Sequence, residues 1–187
     1  STLFPYPPLF RSGFSFYEVH DDGSGVFYSS HNRPILDIQP GIKGFLGGQG
    51  SNLWQFNADT HITGWLEHEG VSFDVITDED LHREGLALLR RYRAGLTGTH
   101  PEYYSLHMLN AMQGFVDRGG RLMYRGGNGF YWRISFSEEH PGVIECRRSE
   151  VGIRPWEPGH GQFYHAFTGE YGGLWRRNGR PSGELTG

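Results

Sequence analysis

This sequence lacks most of the features that would place a protein in a class at first sight. One of its 187 residues is cysteine, Cys146, which excludes an intrachain disulfide and a cysteine-based zinc site. No apolar run approaches the roughly 20 residues of a membrane-spanning helix. The N-terminal residues do not have the basic and apolar regions of a signal peptide. We therefore expect a cytoplasmic protein without a membrane partner.

Basic charge is also scarce. Lysine and arginine total 17 against 21 acidic residues, which gives a net charge of −4, and Lys43 is the single lysine. No basic stripe stands out, which argues against a nucleic-acid partner. The arginines cluster at 90–93, 147–148 and 176–180. We interpret these clusters as solvated faces and as partners of carboxylates.

The common nucleophile and nucleotide-binding motifs are missing as well. The chain has no Gly-x-Ser-x-Gly elbow, no Walker loop and no HExxH zinc motif. Cys146 lies within a candidate strand beside two arginines, which is typical of a buried structural thiol rather than of a nucleophile. If the chain is a hydrolase, the attacking group is predicted to be a water molecule activated by a metal or a base.

Two hydrophobic patterns divide the chain near residue 50. In residues 1–50, aromatic and polar residues alternate around Asp21–Gly25, which predicts a β-rich extension or linker with a tight turn. From residue 51 to 187, helical stripes alternate with short apolar runs. This pattern predicts an α/β domain with a mainly parallel sheet flanked by helices. We expect the whole to be a fragment of a larger subunit.

The same patterns place individual elements. Helical spacing predicts helices over Leu53–Gly70, from Thr77 to Gly85, and over Leu106–Val116, while the glycines of 47–51 predict a loop. The predicted strands are Phe73–Ile76, Ala94–Thr97, Arg121–Tyr124, Phe130–Phe136 and Val143–Cys146.

Polar and aromatic residues follow two of these predicted strands, in the loops His100–Tyr104 and Gly126–Trp132. Ligands of parallel sheets bind outside the carboxyl ends of the strands, so both loops are expected at one edge. The three glycines of the second loop allow close approach of the backbone to a ligand. Structural roles stay open for both loops: a helix start at Pro101 and Ser105, and a turn into an aromatic core strand.

A third stretch, His165–Trp175, places Glu170 between glycines. A carboxylate in this position suggests a ligand or metal role, and a turn with an exposed glutamate is the alternative. Phenolate and carboxylate oxygens are hard anionic donors. A set of such donors favours ferric iron over zinc, which prefers nitrogen and sulfur.

Five strings, in this order, resemble the large (beta) subunit of the N,N-dimethylformamidase family. Together they cover most of the chain from about residue 14 to residue 180. They are HDDGSGV at His20–Val26, the run from Trp65 to His82, TGTHPEYYS at Thr97–Ser105, GGRLMYRGGNGFYWR at Gly119–Arg133 and FTGEYGGLWR at Phe167–Arg176.

The resemblance implies a class I glutamine-amidotransferase-like domain of flavodoxin-like type, with a mononuclear iron held by two tyrosines and a glutamate. It implies hydrolysis of a small N-substituted amide similar to N,N-dimethylformamide, in an assembly with a small subunit and further copies of the chain. Carried over by motif, the iron ligands are Tyr103 of HPEY, Tyr131 of GNGFYW and Glu170 of GEYGG. Glu145 is the alternative third ligand.

In this interpretation iron acts as a Lewis acid on the carbonyl and on water. His165, His100 or Glu102 would move the proton, and Asn128 would hydrogen-bond the amide. The competing hypothesis is a non-catalytic or carbohydrate-related binding domain, in which indole rings stack on sugars. The tryptophans considered for that role are Trp54, Trp132, Trp156 and Trp175.

Overall fold

The computed structural model describes residues 14–33, 55–150 and 155–187. The strands in these ranges are β1 (Tyr28–Ser30), β2 (Ala94–Leu96), β3 (Tyr103–Tyr104), β4 (Arg121–Met123), β5 (Trp132–Phe136) and β6 (Val143–Cys146). The α-helices are α1 (Gln55–His68), α2 (Asp78–Glu84), α3 (Leu86–Leu89), α4 (Leu106–Asp117) and α5 (Gly183–Thr186), and Trp175–Asn178 forms a 3-10 helix.

The larger sheet has four strands in the order β1-β6-β5-β3. Its β1–β6 and β5–β6 pairs are antiparallel, and its β3–β5 pair is parallel. Strands β2 and β4 form a separate two-stranded parallel sheet. The expected mainly parallel, class I glutamine-amidotransferase-like or flavodoxin-like sheet is therefore wrong, because the main sheet is mixed and mostly antiparallel.

The short connection between β5 and β6 explains this difference. The backbone N–H of Ser137 donates to the carbonyl of Val143 at 3.0 Å, and Gly142 completes the turn with φ 80°. A parallel pair needs a crossover of about a dozen residues or more, so a turn of this length can join only antiparallel neighbours. Strands were found where the sequence predicted β5 and β6, but their direction was not encoded in their apolar runs.

The predicted helices agree with the structure where their capping residues are clear. The Thr77 hydroxyl accepts the Asp80 N–H at 3.1 Å at the start of α2, and the Ser105 hydroxyl accepts the Met108 N–H at 3.2 Å at the start of α4. The predicted strand Phe73–Ile76 is wrong, because the segment has no strand pairing and Val75 is 72% exposed. The predicted loop at 47–51 and the start of the first helix lie outside the described residues.

The predicted turn near residue 22 is confirmed. Val19 and Gly25 form an antiparallel bridge, and Gly23 adopts φ 82° between them. Strand β1, which follows this turn, is hydrogen-bonded to β6 in the main sheet. The proposed division of the chain at residue 50 stays a prediction.

Buried residues form two clusters on either side of β3 and β5. The helix-side core contains Leu81, Leu89, Tyr104, Met108, Leu109, Ala111, Met112, Phe115, Phe130 and Trp175. The tyrosine-side core contains Phe16, Tyr103, Trp132, Ile134, Cys146 and Leu174. Because successive strand residues point to opposite faces, the neighbours Tyr103 and Tyr104 belong to different cores.

Candidate functional site

The two loops predicted to form a site lie side by side. The Gly127 N–H donates to the carbonyl of Thr99 at 3.0 Å, and the N–H groups of Tyr131 and Trp132 donate to the carbonyl of Glu102 at 3.0 and 2.9 Å. Gly126 is so close that a Cβ there would lie 2.0 Å from the Thr99 oxygen. Backbone contacts therefore bring the HPEY and GGNG segments together.

A group of polar side chains lies under these loops, and we call it the Tyr-Glu-Arg cluster: Tyr17, Glu102, Tyr103 and Arg148. The hydroxyl oxygens of Tyr17 and Tyr103 are 3.0 Å apart. The Arg148 guanidinium carbon lies 3.6 Å from the centre of the Tyr17 ring, and this arginine is only 2% exposed. The Glu102 carboxylate accepts hydrogen bonds from the side chains of Asn128 and Trp132.

Burial dominates the electrostatics of the Tyr-Glu-Arg cluster. It raises the pKa of Tyr17 and of Glu102, and it raises the pKa of Tyr103 well above the usual value for a phenol. The charge of Glu102 raises the pKa of both tyrosines further, while the charge of Arg148 lowers the pKa of all three groups. Without a further cation, both phenols are held in the neutral form.

This donor set fits a hard metal ion. The two phenol oxygens are 3.0 Å apart, the half-buried carboxylate of Glu102 acts on the pKa of both, and deprotonation of the phenols would require additional positive charge there. Among residues 14–33, 55–150 and 155–187, no three His, Cys, Asp or Glu side chains are placed to hold a metal together.

The predicted ligand Tyr131 lies near this cluster. Its half-buried side chain packs against the tyrosine-side core, and its ring meets the Trp132 ring edge-on with 5.5 Å between centroids. Tyr103 belongs to the same core. The two tyrosines carried over by motif thus lie on one side of the sheet.

The predicted ligand Glu170 is engaged elsewhere. Its carboxylate is 2.5 Å from the Arg133 guanidinium, and its side chain is 43% exposed. Arg133 in turn lies over the Trp175 ring at 5.1 Å, which is in the helix-side core. The charge of Glu102, the residue directly before Tyr103 in the chain, is among the largest influences on the pKa of Tyr103.

The alternative ligand Glu145 is fully occupied by protein donors. It is completely buried and accepts hydrogen bonds from the Arg147 guanidinium and from the N–H groups of Ala166 and Phe167, the last two at 2.8 and 3.0 Å. The Ser135 hydroxyl is 3.4 Å from the same carboxylate. These contacts tie the 165–170 turn to β6 and leave Glu145 a structural role.

The three residues predicted to assist catalysis beside Glu102 fall in two places. Asn128 is exposed, adopts φ 53° and hydrogen-bonds to Glu102, so it lies at the mouth of the Tyr-Glu-Arg cluster. His100 precedes Glu102 by two residues, and a Cβ on Gly127 would lie 3.4 Å from its Nε2 atom. His165 lies instead beside Glu145 and is 1% exposed.

Sequence analysis missed Tyr17 and Arg148. Tyr17 sits in an aromatic segment that was interpreted as part of a β-rich extension. Arg148 belongs to an arginine pair that was interpreted as a solvated face or as partners of carboxylates. Arg147 is the partner of Glu145, but both arginines are buried. An arginine adjacent to an apolar strand end is the one signal that could have marked Arg148.

Comparison with known proteins identifies the family. The family described as N,N-dimethylformamidase beta subunit-like, C-terminal, matches residues 5–187. The chain is 39% identical over 175 residues to the N,N-dimethylformamidase beta subunit of Paracoccus aminophilus, and 38% identical over 175 residues to that of an Alcaligenes species. Each match covers 94% of this chain and 22% of the relative, so the chain spans about a fifth of the relatives' length. No described helix is long and apolar enough to cross a bilayer. The chain therefore belongs to the N,N-dimethylformamidase beta subunit-like, C-terminal family.

Proposed function

We propose that this chain supplies part of the active site of a hydrolase that cleaves the C–N bond of a small N-substituted amide, similar to N,N-dimethylformamide. The relatives named N,N-dimethylformamidase beta subunit support the reaction class. The observation that carries the proposal is the convergence of Tyr17, Glu102 and Tyr103 next to Asn128. The proposal includes a small subunit, further copies of this chain and a cytoplasmic location.

The residues that would hold a mononuclear ferric ion are Glu102, Tyr17 and Tyr103, while Tyr131 and Glu170 remain the alternatives taken from the motifs. Such an ion supplies Lewis-acid activation of water and of the amide carbonyl. Arg148 offsets part of the negative charge of the donor set. It also packs against the Tyr17 ring, which fixes the position of that phenol.

The remaining residues perform the proton and orientation steps. Hydrolysis adds water to the carbonyl carbon, breaks the C–N bond and transfers a proton to the departing amine nitrogen. We assign the uptake and return of that proton to His100, on the loop beside Gly127. We assign the hydrogen bond to the amide substrate to Asn128, whose side chain is exposed.

Iron content and colour test the proposal. Purified protein should contain about one iron per chain and show a tyrosinate-to-iron absorption band in the visible. Glu102→Gln and Tyr17→Phe should remove or shift this band, whereas Glu170→Gln, which changes an exposed glutamate, should keep both iron and band. Folded protein without iron or colour would refute the proposal. If Glu170→Gln alone loses iron, the ligands are instead those taken from the motifs, Tyr103, Tyr131 and Glu170.

The carbohydrate-binding alternative loses three of the four tryptophans considered for it. A sugar-stacking tryptophan must present a ring face to solvent, but Trp132, Trp156 and Trp175 are buried, with exposures of 1–3%. Trp54 lies outside the described residues.

A further inference from the structure

A cavity of about 420 Å³ lies at the end of the two-stranded sheet where β2 and β4 begin. Arg93 directly precedes β2, and Arg121 is the first residue of β4. The loops of the candidate active site follow the opposite ends of these two strands. The cavity is therefore separate from the Tyr-Glu-Arg cluster.

Four arginines line this cavity: Arg90, Arg93, Arg118 and Arg121. All four are exposed, and none forms an ion pair within the described part of the chain. Arg91, in the same sequence cluster, is paired with Glu84 at 3.0 Å. Of the two roles expected for such clusters, Arg91 is the partner of a carboxylate, and the four cavity arginines are solvated.

Helix dipoles do not neutralise this charge. Helices α3 and α4 both end beside the cavity, with Arg90 and Arg118 as their C-caps. The C-terminus of the 12-residue α4 carries about half a negative charge, and the 4-residue α3 is too short to add a comparable one. These dipoles are small beside four guanidinium charges. No Asp or Glu lines the cavity, and the nearby Asp74 accepts a hydrogen bond from the Tyr92 hydroxyl.

The floor of the cavity is apolar. Leu86 and Phe115 line it. The Phe115 ring can lie there because residue 120 is glycine: a Cβ at that position would be 2.5 Å from the ring. The volume is within the range of small-molecule sites, at about 300–1,000 Å³. Guanidinium groups bind phosphate and carboxylate oxygens through paired hydrogen bonds.

We propose that this arginine cavity binds a small organic anion with at least two phosphate or carboxylate groups. The apolar floor accommodates the carbon skeleton, and the four guanidiniums neutralise the anionic groups. An anion that binds only the folded state also stabilises that state. This site is independent of the proposed amide hydrolysis.

Isothermal titration calorimetry and thermal unfolding test the site, with inorganic pyrophosphate and citrate as probes. We expect one of these anions to bind and to raise Tm. In the Arg93→Gln/Arg118→Gln double variant, the affinity should fall roughly tenfold or more, as expected for the loss of two charge-assisted contacts. The matched control, Arg125→Gln/Arg176→Gln, removes the same charge from exposed arginines outside the cavity and should bind as the parent does.

The two probes separate the sources of the anionic group. Preference for pyrophosphate identifies a phosphate ligand, and preference for citrate identifies a carboxylate ligand. The proposal is overturned if neither probe binds, or if both double variants weaken binding equally, which would indicate general screening of the net charge. If the Arg93→Gln/Arg118→Gln variant does not fold, the same comparison is made with Arg90→Gln/Arg121→Gln.

Discussion

At the scale of single residues, Glu145 shows how much a buried carboxylate can contribute to the fold. It is completely buried and bound by the Arg147 guanidinium, which is itself buried. Glu145→Gln leaves the Arg147 charge without a counter-ion in a place that water does not reach. We expect the free energy of unfolding to fall by about 3–5 kcal/mol, measured by urea titration.

A matched control is the exposed ion pair between Glu184 and Arg180, whose atoms are 4.0 Å apart. Solvent screens this pair, so Glu184→Gln should cost less than about 1 kcal/mol. Equal losses in Glu145→Gln and Glu184→Gln would mean that Glu145 does not hold the 165–170 turn in place.

His165 predicts how stability changes with pH. Both of its ring nitrogens are buried without a hydrogen-bond partner in the described structure. Burial lowers its pKa to about 4, against the opposing charge of Glu145. Above pH 6.5 both the folded and unfolded forms are neutral. Between pH 6.5 and 4 the unfolded chain gains a proton that the folded chain does not. The free energy of unfolding therefore falls as the pH is lowered from 6.5 to 4, by about 3 kcal/mol in total.

Replacement of this histidine isolates its contribution. His165→Leu removes the titrating group, so its free energy of unfolding should fall less than that of the parent between pH 6.5 and 4, by about the same 3 kcal/mol. Parallel pH curves for parent and variant would show that His165 is not held neutral by the fold.

The residues of the candidate site show what a motif can and cannot predict. The sequence predicted that the two loops lie together, and backbone hydrogen bonds join them, while the roles given to Glu102, Tyr103 and Asn128 stay predictions. It could not select the carboxylate that meets the phenols, because that depends on which face of β3 and β5 each neighbour takes. Glu170 was chosen by its glycine-flanked motif, but Arg133 on β5 pairs with it instead.

At the scale of elements, Gly126 determines whether the two loops can touch. A Cβ at this position would lie 2.0 Å from the carbonyl oxygen of Thr99, which is backbone and cannot rotate away. We expect Gly126→Ala to push the loops apart and to lower the free energy of unfolding by about 1–3 kcal/mol. If Glu102 holds iron, the iron content should fall as well.

In the control variant, we expect the free energy of unfolding to change in the opposite direction. Gly64 lies within α1, and a Cβ there would meet no atom within 4 Å. Gly64→Ala should therefore raise the free energy of unfolding by about 0.5–1 kcal/mol, through helix propensity alone. Chemical denaturation of both variants makes the comparison, and a stabilising Gly126→Ala would show that the loop contact is not tight.

The local signals in each element explain which helices and strands could be predicted. Helices α2 and α4 have capping side chains and one apolar face, and both are found where these signals place them. Strand β3 has two residues and was missed, because no alternation can be recognised over that length. The short β5–β6 turn contained no helix signal, yet we expected the sheet to be mainly parallel. Strand position is local information, and strand direction is not.

At the scale of the whole molecule, the main sheet separates two regions of different chemistry. On one side, α4 and its neighbours fill an apolar helix-side core. On the other side, the tyrosine-side core contains the phenols and is next to buried Arg148. Strands β3 and β5 belong to both, so their register fixes the position of the candidate site. A site built on a paired strand is held more rigidly than one built on a loop alone.

This arrangement predicts a gradient of local stability. Strands β5 and β6 are each hydrogen-bonded to a neighbour on both sides, whereas β2 and β4 have each other as their only described partner. Amide hydrogens exchange slowly where opening requires the loss of many buried contacts. We therefore expect hydrogen exchange, followed by mass spectrometry, to be slowest for peptides covering β5 and β6 and faster for those covering β2 and β4. Exchange at the same rate in both sheets would mean that the molecule opens as one unit, and that the phenols of the candidate site are no more firmly held than the arginine cavity.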